Sequence, residues 1–265
     1  MKKSNRDFLL WSVNIEGLSD VYIFGSIHTG SPGINRHLPK VQSIIDQVDL
    51  VLNEVEIDRL GGMSSEVFLE KEHEALDKKL SKAQYAKFWS AFYKVTGQDL
   101  NHYKYYSPFF INYVFLKFLI KNPSAVDVDS HLYEYAVSQA KQTGGLENFE
   151  KHFDTIFKIP YKHHLHLLKQ SLSNFSKARK QFNRLESLYS NAQMTTIYKQ
   201  AVQKMGGYKK LLLYDRNIEM TQSILKHAKT HSTLGIMGVA HLGGQKGVLN
   251  LLRKQGAIIK GIKTL

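Results

Sequence analysis

The stretch VYIFGSIHTG, Val21–Gly30, decides the fold, because its pattern returns near the far end of the chain as LGIMGVAHLGG, Leu234–Gly244. Each copy reads as an apolar strand, a glycine, two residues, a histidine and a further glycine. A strand that ends at glycine releases the next residues into a turn, where a side chain can face a cavity instead of a core. The spacing therefore predicts that His28 and His241 hold equivalent positions in two copies of one unit. Both copies continue alike. After the first, Leu38, Val41, Ile44, Ile45 and Val48 share a helical face and a strand follows at Leu50–Ile57. After the second come Val248, Leu249, Leu251 and Leu252, then Gly256 as a helix stop and a strand at Ala257–Ile262. Two β-(GxxH)-α-β repeats predict an α/β fold in which both halves join one sheet.

Between the repeats the pattern is helical, from Glu66 to about Gly206, with breaks at Gly97, Pro108, Pro123, Gly144-Gly145 and Pro160. Within it, Ala125–Asp129, His131–Ala140 and Gly145–Glu147 read as strand, helix and strand, a piece that extends the sheet. The expected organisation is a single domain over 1–265. In it, 1–62 and 211–265 form sheet and cleft, and 63–210 is a large helical insertion.

Composition narrows the chemistry. With 265 residues, 43% of them hydrophobic, the chain can bury a sizeable core. It has no cysteine, which excludes disulfides, thiolate zinc sites and cysteine nucleophiles. The net charge is +13, and between Thr155 and Lys210 eleven Lys/Arg face one acid, Glu186. Such a face attracts an anionic partner, yet it lacks any signature of base-specific nucleic-acid contact. The apolar run Phe8–Trp11 is too short for a signal peptide, so the expected location is cytoplasmic. Phe109–Ile120 falls short of a membrane span and predicts a buried helix, so no transmembrane segment is expected.

Residues at the carboxyl ends of strands converge on a shared crevice in open α/β sheets, which predicts that His28 and His241 face one another. In LVLNEVEI, Glu54 and Glu56 share one strand face, and acids in an apolar strand are costly without a cation or metal. Glu54 is the deeper; Glu56 is a reserve carboxylate. Two imidazoles and a carboxylate suit a first-row divalent metal with open positions, which would make a hydrolase. A metal-free version uses one histidine, held by Glu54, as base, His28 being the more suitable. In the helix Lys209–His227, Arg216 faces inward among Leu212, Leu213, Met220 and Ile224, so an anion must lie beside it and it can steady a developing oxyanion. The run Asp127, Asp129, His131 either gathers carboxylates at a strand end or caps a helix. His163, His164 and His166 read as solvent-facing among lysines.

With GSIH, LNEVE, YDRNIEM and GVAHLGGQKGVLNLLRKQG in hand, the chain resembles the TraB/GumN/PrgY family, which includes the TIKI proteins. The resemblance also takes in Leu9–Trp11, DVDSHLYEYA around Asp129 and GGLENFE around Glu147. It implies a central mixed sheet related to the erythromycin esterase and ChaN-like group. Its signature falls on Gly25 and His28, Glu54, Arg216, and Gly238 and His241. For TIKI-like members it implies metal-dependent proteolysis with manganese or cobalt; the esterase relatives imply histidine-based hydrolysis without metal, and pheromone-shutdown members imply sequestration of a peptide. Where relatives have HLPG, this chain has His241-Leu242-Gly243-Gly244, which loosens a loop beside the site. The expected function is a metal-dependent hydrolase of peptide or protein, with His28, His241 and Glu54 as ligands, Arg216 on the carbonyl oxygen, and Gly25, Gly238, Glu56 and Asp129 shaping the site. The alternatives are a metal-independent esterase or amidase, and a non-catalytic protein whose basic helices bind a peptide or an anionic partner.

Overall fold

The computed structural model describes residues 7–120 and 127–265. Six strands form one mixed sheet: β1 Leu10–Asn14, β2 Val21–Ser26, β3 Leu50–Asn53, β4 Gln142–Gly145, β5 Thr233–Gly238 and β6 Ile258–Ile262. Their order is β4-β3-β5-β2-β1-β6. The four strands from β4 to β2 run parallel, and β1 is antiparallel to both its neighbours. Parallel strands are covered on both faces and so read as continuous apolar runs, as all four residues of β3 and nearly all of β2 and β5 do by being buried.

The two GxxH strands lie side by side. β2 and β5 pair in parallel, with Gly25 opposite Met237 and Ser26 opposite Gly238. The repeat does not extend to the outgoing strands: β3 lies on the far side of β5, whereas β6 is carried past β2 to pair with β1. The β1 strand, absent from the sequence expectation, is what separates them. The strand expected at Leu50–Ile57 ends at Asn53, and a short helix follows at Ile57–Gly61.

The piece inside the insertion does extend the sheet, through β4 beside β3. Residues 121–126 lie outside the described residues, and with them Ala125 and Val126 of the expected strand. Asp127 instead caps the helix Val128–Ser138, accepting from the Ser130 amide at 3.1 Å, and Asp129 lies in its first turn.

The chain divides into two compact units. One comprises Met1–Gly61, Ser124–Ile156 and Leu185–Leu265 and contains the whole sheet. Its core joins Phe24, Ile23, Leu52, Ile236 and Met237 of the strands to Ile45, Leu132, Ile224 and Leu252 of the helices. The other comprises Gly62–Pro123 and Phe157–Arg184, with a helical core of Phe88, Phe92, Ile111, Phe115, Leu168 and Leu172. The apolar run at 109–120 forms a helix, Pro108–Leu119, that buries Ile111, Phe115 and Leu119 in that core. Among the described residues no helix is long and apolar enough to cross a membrane. The His163–His166 tract is not uniformly solvent-facing: His164 is buried with its ring edge-on to Phe109 at 5.4 Å, while His166 is exposed.

Candidate functional site

Each of the four parallel strands delivers one ionisable side chain just past its carboxyl end: His28 after β2, Glu54 after β3, Glu147 after β4 and His241 after β5. This is where the crevice of an open α/β sheet lies. The β3–β4 ladder continues beyond the strands, with the Leu146 amide donating to Asn53 O at 2.7 Å and the Glu147 amide to Glu54 O at 2.9 Å. That continuation sets two buried carboxylates side by side, an arrangement that demands a cation.

Arg216, from the helix Asp215–His227, is that cation. Its Nε donates to Glu147 Oε1 at 2.8 Å, and its Nη2 donates to Glu147 Oε2 at 2.8 Å and to Glu54 Oε2 at 2.7 Å. The inward-facing arginine thus meets the anion that its helical position requires. The guanidinium side chain is 15% exposed and the two carboxylates 9% and 3%. Burial opposes the charge on Arg216, but Glu54 and Glu147 outweigh it and raise its pKa. Burial likewise pushes the Glu54 carboxyl up, while Arg216, the two imidazoles and the Gly238 N–H hold it well below the usual carboxylate range. Glu147 is lowered in the same sense, burial being outweighed by His152 and Arg216.

Glu54, Glu147 and His152 offer ligand atoms within 4.8 Å of one another, as a metal cluster would. The same space holds Arg216 Nη2, which also lies 3.2 Å from His152 Nδ1. A divalent ion and the guanidinium exclude each other at that point. His28 is not part of this cluster.

The other oxygen of Glu54 faces the second GxxH loop. Glu54 Oε1 accepts from the Gly238 amide at 2.6 Å. A Cβ on Gly238 would stand 3.0 Å from that oxygen, so glycine is what lets the carboxylate approach. Gly25 serves the loop from the other side, since a Cβ there would meet Leu242 Cδ1 at 2.8 Å. His241, in the short turn Val239–His241, points its Nε2 at Glu54 Oε1 across 3.7 Å. Its Nδ1 lies 2.6 Å from Asn217 Oδ1. Burial lowers the His241 pKa from 6.5 to about 4, so the ring is neutral near pH 7.

His28 has the opposite state. Its Nδ1 lies 2.9 Å from Asp129 Oδ2, and that carboxylate raises the imidazole pKa from 6.5 to about 10. The His28 side chain is 68% exposed, so water screens the pair and the consequence is a protonation state, with little stabilisation. The two histidines of the repeated motif are therefore not equivalent: one is an exposed imidazolium, the other a buried neutral ring. They still share one field, for the Glu54 charge favours the protonated form of both rings, at His241 against the larger effect of burial.

Glu56, the reserve carboxylate, stands outside this arrangement, 46% exposed and 3.7 Å from Arg59. The strand ending at Asn53 removes the alternation that had put it beside Glu54, and Glu147 takes its place as the second buried acid. Glu147 was legible only as an acid just past a glycine-ended strand, the same signal as His28 and His241. The Gly243-Gly244 loop is not loosened. A Cβ on Gly243 would lie 2.6 Å from Tyr198 Cγ, so the glycines admit that ring, and the Gly247 amide closes the loop on Gly244 O at 3.2 Å.

A family model, that of the TraB/PrgY/gumN family, matches residues 9–260. No curated protein and no solved structure matches the chain.

Proposed function

The chain belongs to the TraB/PrgY/gumN family, and on that premise we propose that it is a metal-dependent hydrolase acting on a peptide or protein. The observation that carries the reading is the gap between His241 and Glu54. Asn217 occupies His241 Nδ1, so Nε2 presents a lone pair, and it faces a carboxylate oxygen at 3.7 Å. Two acceptors opposed in this way call for a cation or a hydrogen donor between them. The chemistry of the set suits a cation: Glu54 and Glu147 are two negative charges against the single charge of Arg216.

Glu54 and His241 would hold the ion, with His28 completing the set on loss of its proton; manganese and cobalt are the candidates. Such an ion lowers the pKa of water and polarises a carbonyl. The protein's own groups do the rest. Arg216 and the Gly238 amide keep the Glu54 carboxylate ionised and fixed in direction.

The second reading is a metal-free esterase or amidase; His28, expected as its base, is charged beside Asp129 and would act as acid there, leaving the neutral His241 as base. One experiment separates the two. Protein purified without a histidine tag is assayed for metal content and for cleavage of a mixed peptide library by mass spectrometry, before and after chelation. Cleavage lost on chelation and restored by manganese or cobalt supports the metal-dependent reading. Cleavage that survives chelation favours the metal-free one, and no cleavage in any state sinks the hydrolase.

A further inference from the structure

We propose that Asn217 is a positioning residue that fixes the tautomer of His241 by reading a backbone carbonyl in the glycine loop. The inference deepens the hydrolase reading and rests on it for its consequence, though its geometry stands apart. Asn217 is fully buried, on the helix Asp215–His227, one residue after Arg216. Its Nδ2 donates to the Lys246 carbonyl at 2.7 Å. A backbone carbonyl can only accept, so the amide nitrogen must face Lys246 and the amide oxygen must face the other way. That oxygen lies 2.6 Å from His241 Nδ1. An amide oxygen can only accept in turn, so the proton of the neutral ring sits on Nδ1. The bond at one ring nitrogen decides the state of the other. Nε2 is thereby left with its lone pair, directed at Glu54 Oε1.

The chain of donors therefore runs in one direction, from Asn217 Nδ2 to Lys246 O and from His241 Nδ1 to Asn217 Oδ1. Without Asn217 the ring could take the other tautomer, in which an Nε2–H points toward the Glu54 carboxylate. That state satisfies both groups and closes the gap to any incoming donor or cation. Asn217 holds the gap open. The Lys246 carbonyl is in place because the loop from Leu242 to Gly247 is tightly wound, with Gly247 N bonded to Gly244 O at 3.2 Å.

The test is nitrogen-15 NMR of histidine-labelled, metal-free protein at pH 7, where protonated and lone-pair ring nitrogens differ widely in shift. His241→Gln identifies the His241 signals by their disappearance. The wild type is expected to show the proton on Nδ1 and a lone pair on Nε2. Asn217→Ala should move the proton to Nε2 or mix the two forms. A wild-type ring protonated on Nε2 overturns the proposal, even if Asn217→Ala fails to fold, and so does an Asn217→Ala protein with an unchanged tautomer. If the expected tautomer is found while no peptide is cleaved, the hydrolase reading fails and the role of Asn217 does not.

Discussion

Arg216 Nη2 stands 2.7 Å from Glu54 Oε2 and, in the same plane of donors, reaches Glu147, so one guanidinium is shared by the acids from two adjacent strand ends. Removing it leaves two buried carboxylates without the cation they share. Breaking a buried ion pair in this way costs about 3–5 kcal/mol. Arg216→Ala is therefore expected to lose about that much in urea denaturation, and Arg216→Lys, which cannot fork between two acids, to fall between. Because the guanidinium occupies the space among Glu54, Glu147 and His152, manganese should stabilise Arg216→Ala more than the wild type in thermal melts. Equal stabilisation of the two proteins would mean that ions bind elsewhere.

His28 carries a pH signature set by Asp129. Its folded pKa is raised above 6.5, to about 10. The contribution of the pair is therefore fully present below pH 6.5 and is lost as pH rises through the folded value. Proton NMR titration of Asp129→Asn is expected to show the His28 pKa dropping back toward 6.5. A pKa unmoved by that substitution would assign the charge of His28 to another group.

His241 carries the opposite sign. Its folded pKa, about 4, lies below 6.5, so the unfolded chain takes up a proton first as the solution is acidified. Stability from this residue is lost between pH 6.5 and pH 4. Urea midpoints measured at pH 7 and pH 4.5 should fall further for the wild type than for His241→Gln, which has no proton to bind. Parallel losses in the two proteins would show that His241 does not govern the acid limb.

The cleft was legible to the extent that its residues follow strand ends. The paired GxxH motifs located His28 and His241, and the polar face of LNEVE located Glu54, because strand termination by glycine is a local property. Arg216 was legible through its place on an apolar helical face, which required an anion without naming it. Glu147 was legible only as an acid just past a glycine-ended strand; its pairing with Glu54 was not, since that depends on β4 joining β3 across nearly 90 residues of chain, and no local pattern encodes it. Nor was the contrast between the two histidines. It arises from Asp129 at a helix start on one side and buried Asn217 on the other, both tertiary placements. The β1 strand escaped notice because its five residues, LWSVN, lie outside the two repeated units and carry no clear alternation.

Two buried side chains next to the site have no hydrogen-bond partner: Ser26 Oγ, at the end of β2 opposite Gly238, and both polar atoms of Asn53, the residue before Glu54. An unsatisfied buried polar group costs about 1–3 kcal/mol. Ser26→Ala removes the hydroxyl and little volume, so it should raise stability by about 1 kcal/mol. The measurement is a urea midpoint at pH 7 with an unchanged dependence on denaturant. A loss of stability instead would mean that the hydroxyl is bonded in solution.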